Sequence, residues 1–261
     1  MDAQPALSLR GLRGGYRDQV ILDGVDLDIA PGQFTVLCGP NGSGKSTLLM
    51  TMARVLAPLG GSLLLEGRPL ARIPPREMAR ARAILPQNPP LPEGLTVFEL
   101  VARGRYPHQG RFGLWRPADL AAVEQALQRT GMETLSAQPL AALSGGQRQR
   151  AWIAMALAQD SRIILLDEPI SALDLRYQTE IMELLQTLAR GGKTVVAVVH
   201  DLNLALAHSD RMALLHQGRL HASGPTPKIC TPENIRACFG QTMLLLPHPQ
   251  GGRPVLVPDR S

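Results

Sequence analysis

The stretch that decides the fold lies at residues 39–46, which read Gly39-Pro40-Asn41-Gly42-Ser43-Gly44-Lys45-Ser46. It fits the phosphate-loop pattern G-x-x-x-x-G-K-[ST], with a strand predicted before it at Phe34–Cys38 and a helix after it at residues 46–56. Glycines let backbone N–H groups curve around phosphate oxygens, and a following helix presents its positive end to them. Lys45 would place a compact charge near the β- and γ-phosphates, and Ser46 would offer a hydroxyl to Mg²⁺.

The phosphate-loop pattern alone leaves two questions open. A Gly-rich turn can match the pattern by chance, although the flanking strand and helix argue against that. The motif is also shared by kinases, GTPases and transport ATPases, so it does not decide among them. The lysine is informative, because Lys45 is one of only three lysines in a chain with 27 basic residues.

A second anion-binding pattern appears later, at Leu143-Ser144-Gly145-Gly146-Gln147, followed by the helix-like residues 151–158. A serine and two glycines at a helix start form an anion site from a hydroxyl and backbone N–H groups. Two such loops in one chain make sense if one of them serves the nucleotide of a second copy. The alternative is a plain serine N-cap followed by flexible glycines.

With this motif the sequence resembles the nucleotide-binding subunits of ABC (ATP-binding cassette) transporters over nearly the whole chain. The resemblance implies a head-to-tail dimer that sandwiches two ATP molecules between the phosphate loop of one copy and the signature Leu143–Gln147 of the other. It also implies that the phosphate loop and Thr47 bind ATP, and that Tyr16 stacks on adenine. A packing role for Tyr16 is the alternative.

The remaining motifs of that family follow in order. The apolar strand Ile163–Leu166 ends in Asp167, expected to hold Mg²⁺ through water, and Glu168, expected to point the other way along the strand and polarise the attacking water. His200, after residues 194–199, is expected to contact the γ-phosphate. Catalytic roles thus fall on Lys45, Glu168 and His200. A solvated strand end is the alternative for the acids, and a structural role is the alternative for the histidine.

Two further motifs rest on the resemblance. Gln87 is expected to sense Mg²⁺ and to link the core to a helical insert, so that Ser46, Gln87 and Asp167 form the metal set. Ser171, Ala172, Leu173 and Asp174 resemble the D-loop, which communicates between the two copies. Ile170 departs from the family, which usually carries Thr or Ser there, and we expect no loss of activity.

Alternating strand-like and helix-like stretches predict an α/β fold: a P-loop NTPase (RecA-like) core with an antiparallel β subdomain and an inserted helical subdomain. We expect a single ABC ATPase domain over 1–261. Its core and β subdomain would occupy about 1–86 and 156–225, and its helical subdomain about 87–155. A tail with a small hairpin, from Met243–Leu246 and 255–257, would occupy about 226–261.

Composition narrows the function classes. The apolar runs are far shorter than the roughly 20 residues of a membrane helix, and no secretory signal is evident, so we expect a cytosolic chain whose pore is a separate permease. The net charge of +5 comes without basic runs, which argues against nucleic acid. Cys38, Cys230 and Cys238 are expected to be reduced thiols.

Local features favour importers of ferric siderophores, with heme and cobalamin importers as alternatives. Residues 103–110, 174–178 and 247–258 resemble the corresponding segments of siderophore importer ATPases. The partners implied are a second copy, permease subunits and, indirectly, an extracytoplasmic substrate-binding protein, at the cytoplasmic face of the inner (plasma) membrane. The rival classes are a soluble ABC ATPase acting on ribosomes or DNA and a non-hydrolysing P-loop protein.

The permease contact is expected beside Gln87. Residues 88–95 and 103–112 would form a groove with the helical insert, and its apolar lining would be Pro89, Pro90, Leu91, Leu95 and Phe98. We expect three nearby arginines to contact an acidic rim or lipid head groups, namely Arg103, Arg105 and Arg111. A Pro-rich loop that packs only on its own helices is the alternative.

Overall fold

The computed structural model describes residues 4–17, 19–110, 114–171, 173–249 and 251–259. The strands are β1 (Leu7–Tyr16), β2 (Gln19–Ile29), β3 (Phe34–Cys38), β4 (Gly60–Leu65), β5 (Arg68–Pro69), β6 (Arg82–Leu85), β7 (Ile163–Leu166), β8 (Thr194–Val198), β9 (Arg211–His216), β10 (Arg219–Pro225), β11 (Met243–Leu246) and β12 (Val255–Pro258). The helices are α1 (Lys45–Met52), α2 (Pro75–Ala81), α3 (Val97–Ala102), α4 (Pro117–Arg129), α5 (Gly145–Ala158), α6 (Leu175–Arg190), α7 (Leu202–His208), α8 (Thr226–Ile229) and α9 (Pro232–Phe239). Short 3₁₀ turns connect several of them. The described residues divide into two compact units, 1–72 with 185–261, and 73–184.

The first unit contains a parallel arrangement around β3. Strand β3 pairs in parallel with β8 on one side and with β9 on the other, and β10 pairs with β9 in antiparallel. Every residue of β3 and β8 is buried, which is why both sequences are continuous apolar runs without alternation. The carboxyl ends of β3 and β8 therefore lie side by side at one edge of the sheet.

The first unit also contains the predicted antiparallel sheet, in the order β2-β1-β4-β5. Burial alternates along the second half of β2, where Val25, Leu27 and Ile29 are buried and their neighbours are exposed, as the sequence pattern predicts. The C-terminal hairpin is present as the antiparallel pair β11–β12, in which Leu245 lies opposite Leu256.

The second unit combines the parallel pair β6–β7 with helices α2 to α5. Its apolar core is formed by α3, α4 and α5, through Val97, Leu100, Val101, Val123, Leu127, Ala151 and Ala154 among others. Helix α3 begins with a capping box in which the Thr96 hydroxyl accepts the Glu99 N–H and the Glu99 carboxylate accepts the Thr96 N–H. These helices are the predicted helical insert, whose limits at 87 and 155 stay a prediction.

Two element boundaries differ from the sequence prediction. Helix α1 ends at Met52 and not near residue 56, because Arg54 has a left-handed backbone with φ of 53°, which a helix does not continue. Strand β1 runs on to Tyr16 and β2 starts at Gln19, so the two strands form a longer hairpin than the alternation at 7–12 and 25–29 suggests. None of the described helices is long and apolar enough to cross a membrane.

Candidate functional site: a phosphate-binding loop and a signature helix

The phosphate loop joins β3 to α1 and is shaped by its glycines. Gly39 has φ of 150° and Gly44 has φ of 99°, a range that disfavours other residues. A Cβ at Gly39 would collide with the carbonyl oxygen of Leu215, and a Cβ at Gly44 would come within 2.7 Å of Leu22 Cδ2. Glycine is therefore required at both positions by the close packing of strand β9 and of strand β2 against the loop.

Two side chains in the loop match a phosphate ligand. Lys45 is 5% exposed, and its Nζ donates to the carbonyl oxygens of Gly39 and Pro40, both at 2.9 Å. Ser43 is buried, and its Oγ makes no hydrogen bond within the described residues. Because an unsatisfied buried hydroxyl is costly, it favours a ligand that would satisfy it. The loop thus holds a positive charge and an unused hydroxyl beside the N-terminal end of α1.

His200 leaves the sheet at the same edge as the loop. Strands β3 and β8 are in register with Leu37 opposite Val198, and the Val199 N–H donates to the Leu37 carbonyl at 3.2 Å. Gly39 and His200 therefore follow neighbouring parallel strands, and His200 is exposed. This edge is where ligands collect in open α/β sheets.

Tyr16 lies in the same unit, at the end of β1. Its ring is 48% exposed and it pairs with Gln19 across the hairpin. Further along the same hairpin, the side chains of Ile21 and Leu22 lie over Gly44. An exposed ring fits a stacking role better than a core role, although adenine binding stays a prediction.

The second unit gathers Gln87 and the two acids. Strands β6 and β7 pair with Leu85 opposite Leu166, and the Asp167 N–H donates to the Leu85 carbonyl at 2.9 Å. Asp167 is 1% exposed, whereas Gln87 is exposed one residue beyond Pro86. Both residues thus follow the carboxyl ends of adjacent parallel strands. A carboxylate buried at such an edge fits a cation better than a solvated strand end.

Glu168 does not continue the strand, contrary to our expectation. Its backbone is left-handed, with φ of 51°, and its carbonyl accepts hydrogen bonds from the N–H and the Oγ of Ser171 at 3.3 and 3.1 Å. The alternation argument for its direction is therefore wrong, because the chain turns at Glu168 to form a tight loop. A left-handed non-glycine residue is unusual and is found at functional sites.

The signature forms the start of helix α5. The Ser144 hydroxyl accepts the Gln147 N–H at 3.2 Å, and the Ser144 N–H donates to Gln147 Oε1 at 2.9 Å, which makes a capping box. Ser144 and Gly145 are exposed. The N-cap geometry considered as the alternative is present, and it leaves the end of a 14-residue helix open to an anion.

The turn after the acids is packed against α5. Gln149 is 7% exposed and its Nε2 donates to the Pro169 carbonyl at 3.2 Å. Gly146 lies close to Leu173, where a Cβ would come within 3.2 Å of Leu173 Cδ2. Ile170 is buried, which explains why an apolar residue is accepted at this position. The role of Gln149 was missed, because a glutamine in a helix gives no sequence signal of a distant backbone partner.

The rest of the D-loop caps α6. Asp174 Oδ1 accepts the Tyr177 N–H at 3.1 Å, and Ser171 and Asp174 are exposed while Leu173 is buried. Ala172 lies outside the described residues. Arg150 of α5 sits 4.2 Å above the Tyr177 ring, so the signature helix and α6 also meet through a cation–π contact.

The expected rim of arginines is wrong for Arg105. Its guanidinium is buried, with Nε donating to Asp119 Oδ1 at 3.0 Å and Nη1 donating to the Ala158 carbonyl at 2.7 Å. A buried charge requires such partners, and Asp119 in α4 gave no sequence signal of being one. Arg103 is exposed as expected, and Arg111 and Phe112 lie outside the described residues.

The expected groove has fewer apolar side chains free to meet a partner than the sequence suggests. Leu95 and Phe98 pack against the α3–α4–α5 core, whereas Leu91 is 43% exposed. Hydrophobic periodicity alone did not distinguish the two kinds of position. Pro90 and Leu91 are exposed, so they remain available to a partner.

These features define a P-loop protein whose second glycine-rich motif forms the capped, exposed start of helix α5. The family model described as ABC transporter matches residues 22–171, which is more than half of the chain. The chain belongs to the ABC transporter family. It is an ATP-binding subunit, and such subunits are ATPases, so the resemblance drawn from the signature is confirmed.

Individual relatives cover nearly the whole chain. The protein described as "Probable siderophore transport system ATP-binding protein YusV" of Bacillus subtilis (strain 168) is 45% identical over 254 residues, covering 97% of this chain and 92% of that protein. The hemin import ATP-binding protein HmuV of Streptomyces coelicolor is 41% identical over 251 residues, covering 96% and 89%. A solved structure described as "An inward-facing conformation of a putative metal-chelate type ABC transporter" matches with a TM-score of 0.84 and 30% identity, covering 98% of both chains. The predicted fold class is confirmed.

Proposed function

We propose that this chain is the ATP-hydrolysing subunit of an importer for an iron complex, most specifically a ferric siderophore. The observation that carries the ATPase is the phosphate loop, where buried Lys45 and the unsatisfied Ser43 hydroxyl lie at the start of α1. The siderophore assignment is supported by the 45% identical relative named for siderophore transport. Hemin is the second candidate cargo, supported by the 41% identical hemin import relative.

The reaction is the attack of water on the γ-phosphorus of ATP, which breaks the bond from that phosphorus to the β,γ-bridging oxygen and releases ADP and inorganic phosphate. The Lys45 ammonium group, which donates to the Gly39 and Pro40 carbonyls, would move to the phosphate oxygens when ATP binds. There it would stabilise the negative charge that spreads over these oxygens in the transition state. Glu168 would orient the water and accept its proton. His200, at the same sheet edge as the loop, would hold the γ-phosphate in line with the water.

A magnesium ion fits the donor set of this chain. Ser46 lies at the start of α1 and supplies a hydroxyl, Asp167 supplies a buried carboxylate, and Gln87 follows the strand beside that of Asp167. Hydroxyl, carboxylate and amide oxygens are ligands that Mg²⁺ accepts. When bound, the ion would neutralise phosphate charge. We therefore expect hydrolysis to require Mg²⁺.

Two copies of the chain would form the working unit. Ser144 and Gly145 are exposed at the N-terminal end of α5, where they would meet the γ-phosphate bound to the phosphate loop of the other copy. Permease subunits would form the pore, and an extracytoplasmic binding protein would deliver the cargo to them. The chain would sit at the cytoplasmic face of the inner (plasma) membrane without entering it, and it would bind no nucleic acid.

The direct test is phosphate release by the purified chain with Mg²⁺ and ATP. We expect Lys45→Ala and Glu168→Gln each to lower turnover by about a hundredfold or more. Lys45→Ala removes the positive charge at the β- and γ-phosphates and should also weaken ATP binding, whereas Glu168→Gln removes the charge that polarises the attacking water. Glu168→Gln should still bind ATP, because the amide keeps the shape of the side chain. It should also accumulate as an ATP-bound dimer in size-exclusion chromatography.

Matched controls make the same chemical changes on exposed residues. Lys228→Ala and Glu183→Gln alter exposed side chains and should leave kcat unchanged. Wild-type turnover in Lys45→Ala would refute the assignment of the loop.

The cargo is tested by uptake of labelled ferric siderophore and of hemin in cells that carry the cognate permease. Uptake of hemin alone would favour the second candidate.

A further inference from the structure

The C-terminal hairpin is attached to helix α7 by a side-chain amide that forms the same pair of hydrogen bonds as a neighbouring strand would. Asn203 in the first turn of α7 donates from Nδ2 to the Leu256 carbonyl at 3.0 Å, and its Oδ1 accepts the Leu256 N–H at 2.8 Å. One amide therefore exchanges both hydrogen bonds with one residue, as two opposed residues do in an antiparallel ladder. Leu256 is 2% exposed, so losing this partner would leave two buried backbone groups unsatisfied.

The same hairpin holds the other end of α7. Arg253 donates from Nη1 to the Leu206 carbonyl at 2.8 Å and also to the Ser209 carbonyl. Carbonyl groups in the last turn of a helix lack partners within it, and a positive charge there also interacts well with the helix dipole. The β11–β12 connection, which contains Arg253, thus caps the helix at its C-terminal end.

Helix α7 depends on such anchors because it is short. It spans seven residues, far below the length at which a helix is stable on its own. Its N-cap is Asp201, whose Oδ1 accepts the Asn203 and Leu204 N–H groups at 2.8 and 2.9 Å. Asp201 directly follows His200, so the position of α7 determines where the chain goes immediately after the histidine.

We infer that Asn203 and Arg253 are positioning residues for hydrolysis, and that the C-terminal hairpin clamps α7 so as to hold His200 in place at the sheet edge. On its other side, His200 is already fixed by β8, through the hydrogen bond from the Val199 N–H to the Leu37 carbonyl. The clamp supplies the second fixed point. The inference rests on the proposed role of His200 and gives the hairpin a function in catalysis.

The test compares full-length Asn203→Ala and Arg253→Ala with the wild-type chain. Each should lower kcat roughly tenfold, because a misplacement of about 1 Å can cost about a hundredfold and loss of one anchor should shift His200 by less than that. The KM for ATP should change by less than about twofold, since the phosphate loop is untouched. Hydrogen exchange of peptides covering 200–208 should become faster, while exchange at 39–46 should not change.

Asn234→Ala is the matched control. Asn234 in α9 also donates its amide to a backbone carbonyl, that of Ile229 at 2.9 Å, and its other hydrogen bonds join it to Thr231 and His221, which lie outside α7. It should keep the wild-type kcat at a similar loss of melting temperature. If Asn234→Ala lowered kcat as much as Asn203→Ala, the effect would be general destabilisation and the inference would be overturned.

A double mutant tests whether Asn203 acts through His200. In a His200→Ala background, Asn203→Ala should cause no further loss of the residual ATPase. A full additional tenfold loss would overturn the inference, as would faster exchange at 200–208 with an unchanged kcat. Exchange reports on the clamp even in a chain that hydrolyses nothing, whereas absence of wild-type ATPase would count against the proposed function alone.

Discussion

At the scale of single residues, the buried pair Arg105–Asp119 is the main electrostatic feature of the helical unit. Asp119 Oδ1 lies 3.0 Å from both Nε and Nη2 of Arg105, and Asp119 Oδ2 accepts a hydrogen bond from the Arg116 N–H at 3.0 Å. Arg105 also reaches the Ala158 carbonyl at the end of α5. One side chain thus joins the segment after α3 to both α4 and α5.

Replacing Arg105 by Ala should therefore destabilise the protein. It leaves the Asp119 carboxylate buried without its main partner, a change that costs about 3–5 kcal/mol. The exposed neighbour Arg103 provides the control, and Arg103→Ala should change the free energy of unfolding by less than about 0.5 kcal/mol. Urea denaturation followed by circular dichroism measures both, and equal midpoints for the two variants would contradict the prediction.

The same pair makes stability depend on pH. Burial by itself raises the pKa of Asp119, but hydrogen bonds from the Arg116 N–H and from Arg105, together with the charge of Arg105, outweigh it, so that the pKa lies below the usual value of 3.8. A carboxyl group whose pKa is lower in the folded state stabilises the fold above its unfolded pKa. This contribution should be lost as the pH falls below about 4, and it should be missing in Asp119→Asn.

At the scale of elements, the segment from Arg103 to Gly110 is a fixed platform and not a loose rim. Arg80 Nε donates to the Pro107 carbonyl at 2.8 Å, and His108 Nε2 lies 2.7 Å from the Gln159 carbonyl oxygen. Tyr106 is nevertheless 62% exposed. A large side chain held in the open by a rigid backbone suits a contact with another protein.

We therefore expect Arg103→Glu to reduce transport while the basal ATPase of the isolated subunit stays within about twofold. The reason is that Arg103 is exposed and belongs to the surface that would face a permease. The measurement is cargo uptake in cells beside phosphate release by the purified chain. If the ATPase fell in step with uptake, the segment would belong to the catalytic fold.

Cysteine crosslinking provides a second readout for the same surface. Leu91→Cys should crosslink to a co-expressed permease, whereas Leu95→Cys should do so poorly because Leu95 packs on the core. The native Cys38, Cys230 and Cys238 are buried, and burial raises the pKa of the Cys230 thiol to about 11, so they should react slowly.

Strands and loops that are determined by residues close together in the sequence were predictable from it. The continuous apolar runs of β3, β7 and β8 identified buried parallel strands, and the glycine spacing identified the loop between β3 and α1. Features that depend on residues far apart were not predictable. Asn203 bonds to Leu256, which lies 53 positions further along the chain. Arg105 lies in an arginine-rich segment that is typical of an exposed surface, and the sequence does not show that Asp119 is its buried partner.

At the scale of the whole molecule, the phosphate loop and the signature fall in different compact units, residues 39–46 in one and 143–147 in the other. Each lies at the start of a separate helix, α1 or α5, where we propose that it binds phosphate. If both contact the same ATP through two copies of the chain, the dimer has two equivalent composite sites related by a twofold axis. Neither copy is then sufficient alone.

Mixing two inactive subunits tests this arrangement. Ser144→Arg blocks the signature and Lys45→Ala disables the phosphate loop, so neither homodimer has an intact composite site. A mixed dimer has one site with both motifs intact and one with both lost. Equimolar mixing should therefore restore up to roughly a quarter of the wild-type sites, measured as phosphate release. The control replaces the second subunit by the Ser144→Arg/Lys45→Ala double mutant, which leaves no intact site in any combination and should restore nothing. Activity equal to the average of the separate mutants would instead mean that each copy uses its own signature.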